Sequence, residues 1–213
     1  MTNRKEERLS DATIREALRP FGVEASRALI ERVRLYLETL LIWNQKVSLT
    51  SITQPSVILR RHFGESFFAA NALNISKGRL ADVGSGSGFP GLALKLLCSE
   101  LHITLIEPSL KKSAFLAEVV RKLGLTGVQI LRLRYEQILP EELEVNWVTA
   151  RALGNYIDLL SWARGVLKDG RVIFWVSRST AEELSSLAGW YFIPPILIPE
   201  SRGRYLVCGQ PKM

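Results

Sequence analysis

The chain has 213 residues, 47% of them hydrophobic, enough to bury a full core as one large domain or a domain with an appendage, which argues against a chain dominated by disorder. Its net charge of +7 suits a polyanionic partner, since Lys and Arg displace counterions from phosphates, although such a charge also serves as a solubilising surface. Cys98 and Cys208 lack zinc or disulfide spacing, Met1 to Asp11 is charged where an export signal is apolar, and no run nears the roughly 18 apolar residues of a membrane span, so a reducing, cytoplasmic setting is expected.

Residues 1–76 read as a helical N-terminal cap. Ser10 is the expected N-cap of a short helix stopped by Pro20 and Gly22. A longer helix from about Glu24 carries Leu29, Val33, Tyr36, Leu37, Leu40 and Leu41 on one face, with Arg27, Glu31, Arg34 and Glu38 opposite, at charge-pair spacing. A third helix is expected near Pro55, capped by Thr53, with Val57, Ile58, Phe63 and Phe67 apolar. The basic excess is spread over this segment and the rest of the chain alike.

Residues 77–213 alternate strands with helices. The expected strands are Leu80 to Val83, Ile103 to Glu107, Val128 to Leu133, Val145 to Ala150 and Val172 to Val176, with helices over Leu110 to Leu123 and Tyr156 to Leu167. Trp190 to Ile198 and Arg204 to Cys208 read as an antiparallel pair closing the sheet. The fold class is therefore α/β, a parallel sheet wrapped by helices, Rossmann-like, seven-stranded, with the last strand reversed.

Asp82-Val83-Gly84-Ser85-Gly86-Ser87-Gly88-Phe89-Pro90-Gly91 lies between the first strand and the apolar run from Leu92, so it reads as strand, glycine turn, helix. Such a turn lets backbone approach a nucleoside closely. Starting at Gly86, the glycines Gly86, Gly88 and Gly91 match the dinucleotide fingerprint of an oxidoreductase. Starting at Gly84, they match the pattern that follows the first strand of S-adenosylmethionine enzymes. The second register is favoured, because Gly84 follows Val83 directly, whereas the first leaves two extra residues before the loop. Pro90 suits the first helical turn, where no amide donor is needed. Asp82 is placed to receive the amino-acid part of the methyl donor, directly or through water. Glu107 closes the second strand where a carboxylate accepts from both ribose hydroxyls. Tyr135 and Glu136, after the third strand, either wall the adenine or belong to an ordinary loop.

Trp43-Asn44 with Ser48-Leu49-Thr50, Arg61-His62 with Glu65-Ser66, the glycine run from Asp82 to Gly91, and Thr149-Ala150-Arg151-Ala152 occur in an order that resembles the RsmG (GidB) family of bacterial small-subunit rRNA guanine-N7 methyltransferases. The resemblance spans nearly the whole chain. It implies a class I S-adenosylmethionine-dependent methyltransferase with a helical N-terminal extension, acting on guanine N7 of 16S ribosomal RNA or the small ribosomal subunit, without metal and as a monomer. By motif position, Gly84, Phe89, Tyr135, Glu136 and Arg151 are expected cofactor contacts, alongside Gly86, Gly88, Glu107 and Asp82 from the turn and strand ends.

The residue chemistry agrees with this target through what is missing. The only Pro-Pro, Pro194-Pro195, lacks the motif that grips an exocyclic amine, and neither cysteine has the context of a pyrimidine C5 nucleophile. Guanine N7 carries a lone pair and no proton, so alignment replaces a general base, and no side chain is expected to be indispensable as acid or base. Arg151, His62 and Asn44 are the positioning candidates. Arg151 is set to hold the cofactor carboxylate or a phosphate, with a structural ion pair as the alternative. Arg60, Arg61, His62, Lys111 and Lys112 are candidate RNA contacts, with Arg121, Lys122, Arg132 and Arg134 behind them; His62 reads equally as a packing residue, Trp43 as core, and Asn44 as closing over the cofactor. A non-catalytic RNA-binding relative is the remaining alternative. Four positions depart from the family pattern: Asn146 for an aspartate and Ser177-Arg178 for Lys-Gly, all expected to border the site, and Glu65 for an aspartate.

Overall fold

A computed structural model describes residues 9–212. The expectations for Met1 to Arg8, the start of the cap among them, lie outside the described residues.

Ser10 accepts a hydrogen bond from the Thr13 amide (3.1 Å) and starts α1 (Asp11–Leu18). A 3-10 turn over Arg19–Phe21 and a left-handed Gly22 then break the chain. Helix α2 (Arg27–Asn44) starts at Ser26, later than Glu24 because the Ser26 hydroxyl caps the Leu29 amide at 3.2 Å. Its buried face holds Leu29, Val33, Tyr36, Leu37 and Leu40, but Arg34 is buried too and pairs with Asp11 of α1, so it leaves the charged face assigned to it. Helix α3 (Pro55–Ile58) begins after Gln54 with no side-chain cap, so Thr53 is not the cap. It runs into a π-helical turn over Leu59–Gly64 and then α4 (Glu65–Ala72).

The sheet contains β1 (Lys77–Val83), β2 (Glu100–Ile106), β3 (Val128–Leu131), β4 (Val145–Arg151), β5 (Leu167–Ser177), β6 (Trp190–Phe192), β7 (Ile196–Leu197) and β8 (Arg204–Pro211). Its order is β3-β2-β1-β4-β5-β8-β6, with β7 also paired to β8. Strands β1 to β5 are parallel and β8 is antiparallel to β5 and β6, so the final strand is the reversed one. Among the described residues there are eight strands where seven were expected, because Trp190 to Ile198 is interrupted at Pro194-Pro195, which cannot donate to a ladder. Helices α5 (Gly91–Leu97), α6 (Leu110–Lys122), α7 (Tyr156–Val166) and α8 (Arg178–Ser185) fill the connections.

Alternation along the strands divides the core. On β5, Val172, Phe174 and Val176 face α7 and α8, while Ile173 and Trp175 join the other layer. That second layer is shared: Ile14, Ile30, Tyr36, Leu40 and Phe63 of the N-terminal helices form one cluster with Leu92, Leu101 and Phe115. Among the described residues, the helical segment shares its core with the sheet. Cys98 and Cys208 are buried free thiols, and among the described residues no helix is long and apolar enough to cross a membrane.

Candidate functional site

The glycine turn leaves the carboxyl end of β1, the end at which α/β sheets hold ligands. The Gly84 and Ser85 amides both donate to the Ile106 carbonyl of β2, at 2.9 and 3.2 Å, so Gly84 is the turn residue itself. Gly84 has φ +68° and is exposed, with only Leu153 near the position of a Cβ (3.8 Å). Gly88 faces the opposite way. A Cβ there would overlap the Tyr36 hydroxyl and Leu92, so the side on which the Gly86 register would seat a pyrophosphate is closed by the protein.

Beside Gly84 lies a cleft of about 180 Å³ lined by Pro108, Leu133, Arg134, Tyr135, Glu136 and Leu153. Tyr135 packs edge-on against Trp162 (5.5 Å between centroids), whose indole N–H donates to the Ile138 carbonyl at 3.1 Å. Glu136 is exposed. Glu107 is buried, its Oε2 accepting from the Gly86 amide (2.8 Å) and its Oε1 from the Ser109 amide (2.9 Å), which fixes the carboxylate against the glycine turn, next to Pro108 of the cleft but not in its lining, with further lone pairs on each oxygen. An open glycine backbone and a largely apolar cleft, with a fixed carboxylate under the turn, suit a nucleoside.

Asp82 behaves differently from expectation. It is fully buried; Oδ1 accepts from the Thr149 hydroxyl (2.8 Å) and Oδ2 from the Gly91 amide (3.2 Å), so it braces the loop from beneath and does not reach an amino-acid group in the cleft. Burial pushes its pKa up to about 7 despite those hydrogen bonds. Pro90 occupies the N-cap of α5, one residue before the first helical position.

Phe89 is 6% exposed and stacks between Tyr36 (5.1 Å, 11° between planes) and His62 (4.9 Å), so its ring is structural and only its backbone borders the turn. His62 Nε2 lies 3.0 Å from the Thr50 hydroxyl. Burial and the neighbouring Arg151 and Arg61 charges depress its pKa to about 3. A buried, neutral imidazole does not suit a phosphate contact, so of the expected RNA contacts His62 is a packing residue. Asn44 is also corrected: its amide donates to the Thr50 carbonyl (2.9 Å) and accepts from the Leu49 and Thr50 amides (2.9 and 3.0 Å), so it ties the loop after α2 and does not close over the cofactor. The three motifs thus meet in one chain of contacts, Asn44 to Thr50 to His62 to Phe89.

Arg151, ending β4, donates to the Arg61 carbonyl (2.7 Å) and to Glu65 Oε2 (3.0 Å), the structural pairing that was its alternative. Arg204 donates through Nε to Glu65 Oε1 at 2.8 Å, so the buried Glu65 joins β4, α4 and β8. Sequence reasoning did not find Arg204. Ala152, next to Arg151, takes a left-handed φ of +57°. Lys111 is exposed and Lys112 half-buried in the first turn of α6, whereas Arg121 and Lys122 pair with Glu118 at its far end. Arg132 is exposed. Asn146 does not border the site: it sits at the amino end of β4, in a register shift, and accepts from the Arg79 amide at 2.9 Å. Ser177 ends β5 at the site edge and caps α8, while Arg178 donates to the Tyr205 hydroxyl at 2.7 Å.

The sequence model of the family described as GidB, rRNA small subunit methyltransferase G, matches residues 29–189. Among curated proteins, the chain is 38% identical over 166 residues to the Ribosomal RNA small subunit methyltransferase G of Desulfitobacterium hafniense, covering 76% of this chain and 68% of that protein. It is 34% identical over 190 residues to the protein of that name from Xylella fastidiosa, covering 87% and 88%. Among solved structures, it resembles a ribosomal protein L11 methylase from Lactobacillus delbrueckii subsp. bulgaricus at TM-score 0.60 and 16% identity, covering 72% of this chain and 80% of that one. A mutant of MtNAS in complex with S-adenosylmethionine superposes at TM-score 0.60 and 14% identity, covering 84% and 74%.

Proposed function

The chain belongs to the GidB family of rRNA small subunit methyltransferases, and from that premise we propose that it methylates N7 of a guanine in 16S ribosomal RNA. It is an rRNA methyltransferase, and S-adenosylmethionine is its methyl donor. The observation that most supports the methyl-donor half of this reading is the site itself: Gly84, open and left-handed, meets a cleft walled by Tyr135 and Glu136, with the Glu107 carboxylate held on the Gly86 amide. The choice of N7 rests on the family match and on a sequence with neither an amine-gripping motif nor a C5 nucleophile.

When bound, the cofactor supplies an electrophilic methyl on a sulfonium. The chain's residues supply orientation: Glu107 for the ribose hydroxyls, Tyr135 for the adenine face, and the backbone from Gly84 to Phe89 for the rest of the donor. The base needs only its N7 lone pair aimed along the carbon–sulfur axis, and alignment of this kind is worth up to about 7–11 kcal/mol of a barrier. No proton leaves N7, in keeping with a site whose one nearby imidazole is neutral and buried. The assignment to a cytoplasmic monomer belongs to the same proposal.

The test is incubation of the protein and methyl-labelled S-adenosylmethionine with small subunits lacking the modification, followed by mass-spectrometric mapping. A single labelled guanine bearing the methyl on N7 is expected. Label on another base, or none, overturns the proposal.

A further inference from the structure

A second cavity, of about 290 Å³, opens between the π-helical turn and the loop joining β7 to β8, lined by Arg60, Arg61, Arg202 and Arg204 with Glu65 and Glu200. It lies on the carboxyl edge of the sheet, the edge that carries Gly84: Arg204 pairs with Ser177 at the end of β5, and Arg151 ends β4 behind it. Counting Arg151, five guanidinium groups meet two carboxylates. Glu65 is already committed to Arg151 and Arg204. Among the described residues, Arg61 Nε is buried with no hydrogen-bond partner and Arg202 has no ion pair. Arg61 and Arg204 both repel the Arg151 charge. Positive charge crowded beyond its internal counter-ions costs free energy until an anion arrives, and guanidinium forks fit phosphate oxygens in pairs.

The one anion now facing outward is Glu200. It holds a left-handed φ of +58° and reaches Arg60 at 3.4 Å with both side chains about half exposed, a weak pair that a stronger anion replaces.

Resting on the methyltransferase reading, we infer that this cavity holds a phosphodiester of the RNA flanking the target guanine, and that the phosphate displaces Glu200 from Arg60. The shared chemistry, a phosphate, also describes free nucleotide or inorganic phosphate, and the test separates them.

The full chain, saturated with S-adenosylmethionine, is titrated with a short fluorescein-labelled single-stranded RNA across a KCl series, and cofactor affinity is measured by calorimetry. Arg60→Ala/Arg202→Ala is expected to weaken RNA binding about tenfold and to flatten the dependence of log affinity on log salt by about 0.7 for each phosphate no longer neutralised, with cofactor affinity unchanged. Arg60→Lys/Arg202→Lys should keep most of the slope. Glu200→Gln should tighten RNA binding, a gain that a merely structural loop would not give. Wild-type affinity and slope in the double alanine variant would overturn the inference, as would loss of GMP or inorganic phosphate binding with RNA binding intact. If the wild type methylates small subunits and these variants change nothing, the cavity assignment alone falls; if RNA binding depends on the cavity but no methyl is transferred, the proposed reaction falls.

Discussion

The Tyr36 hydroxyl, buried in the middle of α2, donates a 2.6 Å hydrogen bond to the Ser87 carbonyl in the glycine turn. A helix near the start of the chain thereby fixes backbone that opens onto the cleft proposed for the cofactor. Phe89 stacks on the same ring, and burial raises the Tyr36 pKa well above that of a free phenol, so the group stays a donor.

Tyr36→Phe removes the donor and leaves a buried carbonyl unpaired. A loss of about 1–3 kcal/mol in unfolding free energy is expected, with weaker S-adenosylmethionine binding as the turn loosens. Urea denaturation and calorimetry measure the two. Unchanged stability would mean that water replaces the tyrosine.

Gly84 and Gly88 both have positive φ, but they face different surroundings, and their substitutions should separate binding from folding. Gly84→Val costs about 1–2 kcal/mol in backbone strain and projects a branched side chain into the cleft, so cofactor binding should fall below detection while the protein still folds. Gly88→Ala forces a methyl into Tyr36 and Leu92, so the fold itself should fail or melt early. Cofactor affinity near wild type in Gly84→Val would refute the assignment of the turn.

Asp82 gives a pH dependence with a definite sign. Its folded pKa of about 7 stands above the ordinary carboxylate value of 3.8, so between those values the folded state binds more protons than the unfolded one. Its contribution to stability is therefore full below about pH 4 and is lost as pH rises through 7. Asp82→Asn keeps the shape and cannot titrate; wild-type stability measured against it should fall by an amount on the order of a few kcal/mol between pH 4 and pH 7.5. His62 titrates in both proteins and cancels. A flat difference across that range would show that Asp82 is not held protonated.

Glu65, 1% exposed, is the only carboxylate on Arg151 and Arg204 among the described residues. Glu65→Ala strands two guanidinium groups, one of them nearly buried, and should cost about 3–5 kcal/mol by chemical denaturation. A cost below about 1 kcal/mol would mean that both arginines find solvent.

Much of this was legible in the sequence because the signals were local. The glycine run after an apolar strand, Ser10 as a cap, and the alternation from β1 to β5 each depend on a few adjacent residues, and the structure contains all three. What escaped depends on partners distant in the chain. Arg34 sits at charge-pair spacing on α2 but is claimed by Asp11; Arg204 had no motif because its partner Glu65 lies 139 residues away. The π-helical turn at Leu59–Gly64 differs from an α-helix by one residue in the span of its hydrogen bonds, too little to shift an apolar pattern over six positions. Helix α8 has only Ala181 and Leu184 buried, so it lacks a periodic stripe. Asn146 misled because strand position was read without strand direction: it precedes Arg151 by five residues, roughly 16 Å at strand rise, and so stands at the wrong end of the sheet.

The hydrophobic layer common to the N-terminal helices and α5 and α6 makes a distant reporter of the ligand. Cofactor occupancy at the turn stabilises the native state by mass action, and that gain spreads to every segment that opens only with the whole. Slowed amide exchange at Ile30 and Leu40, which touch no part of the cleft, would then register the arrival of the methyl donor.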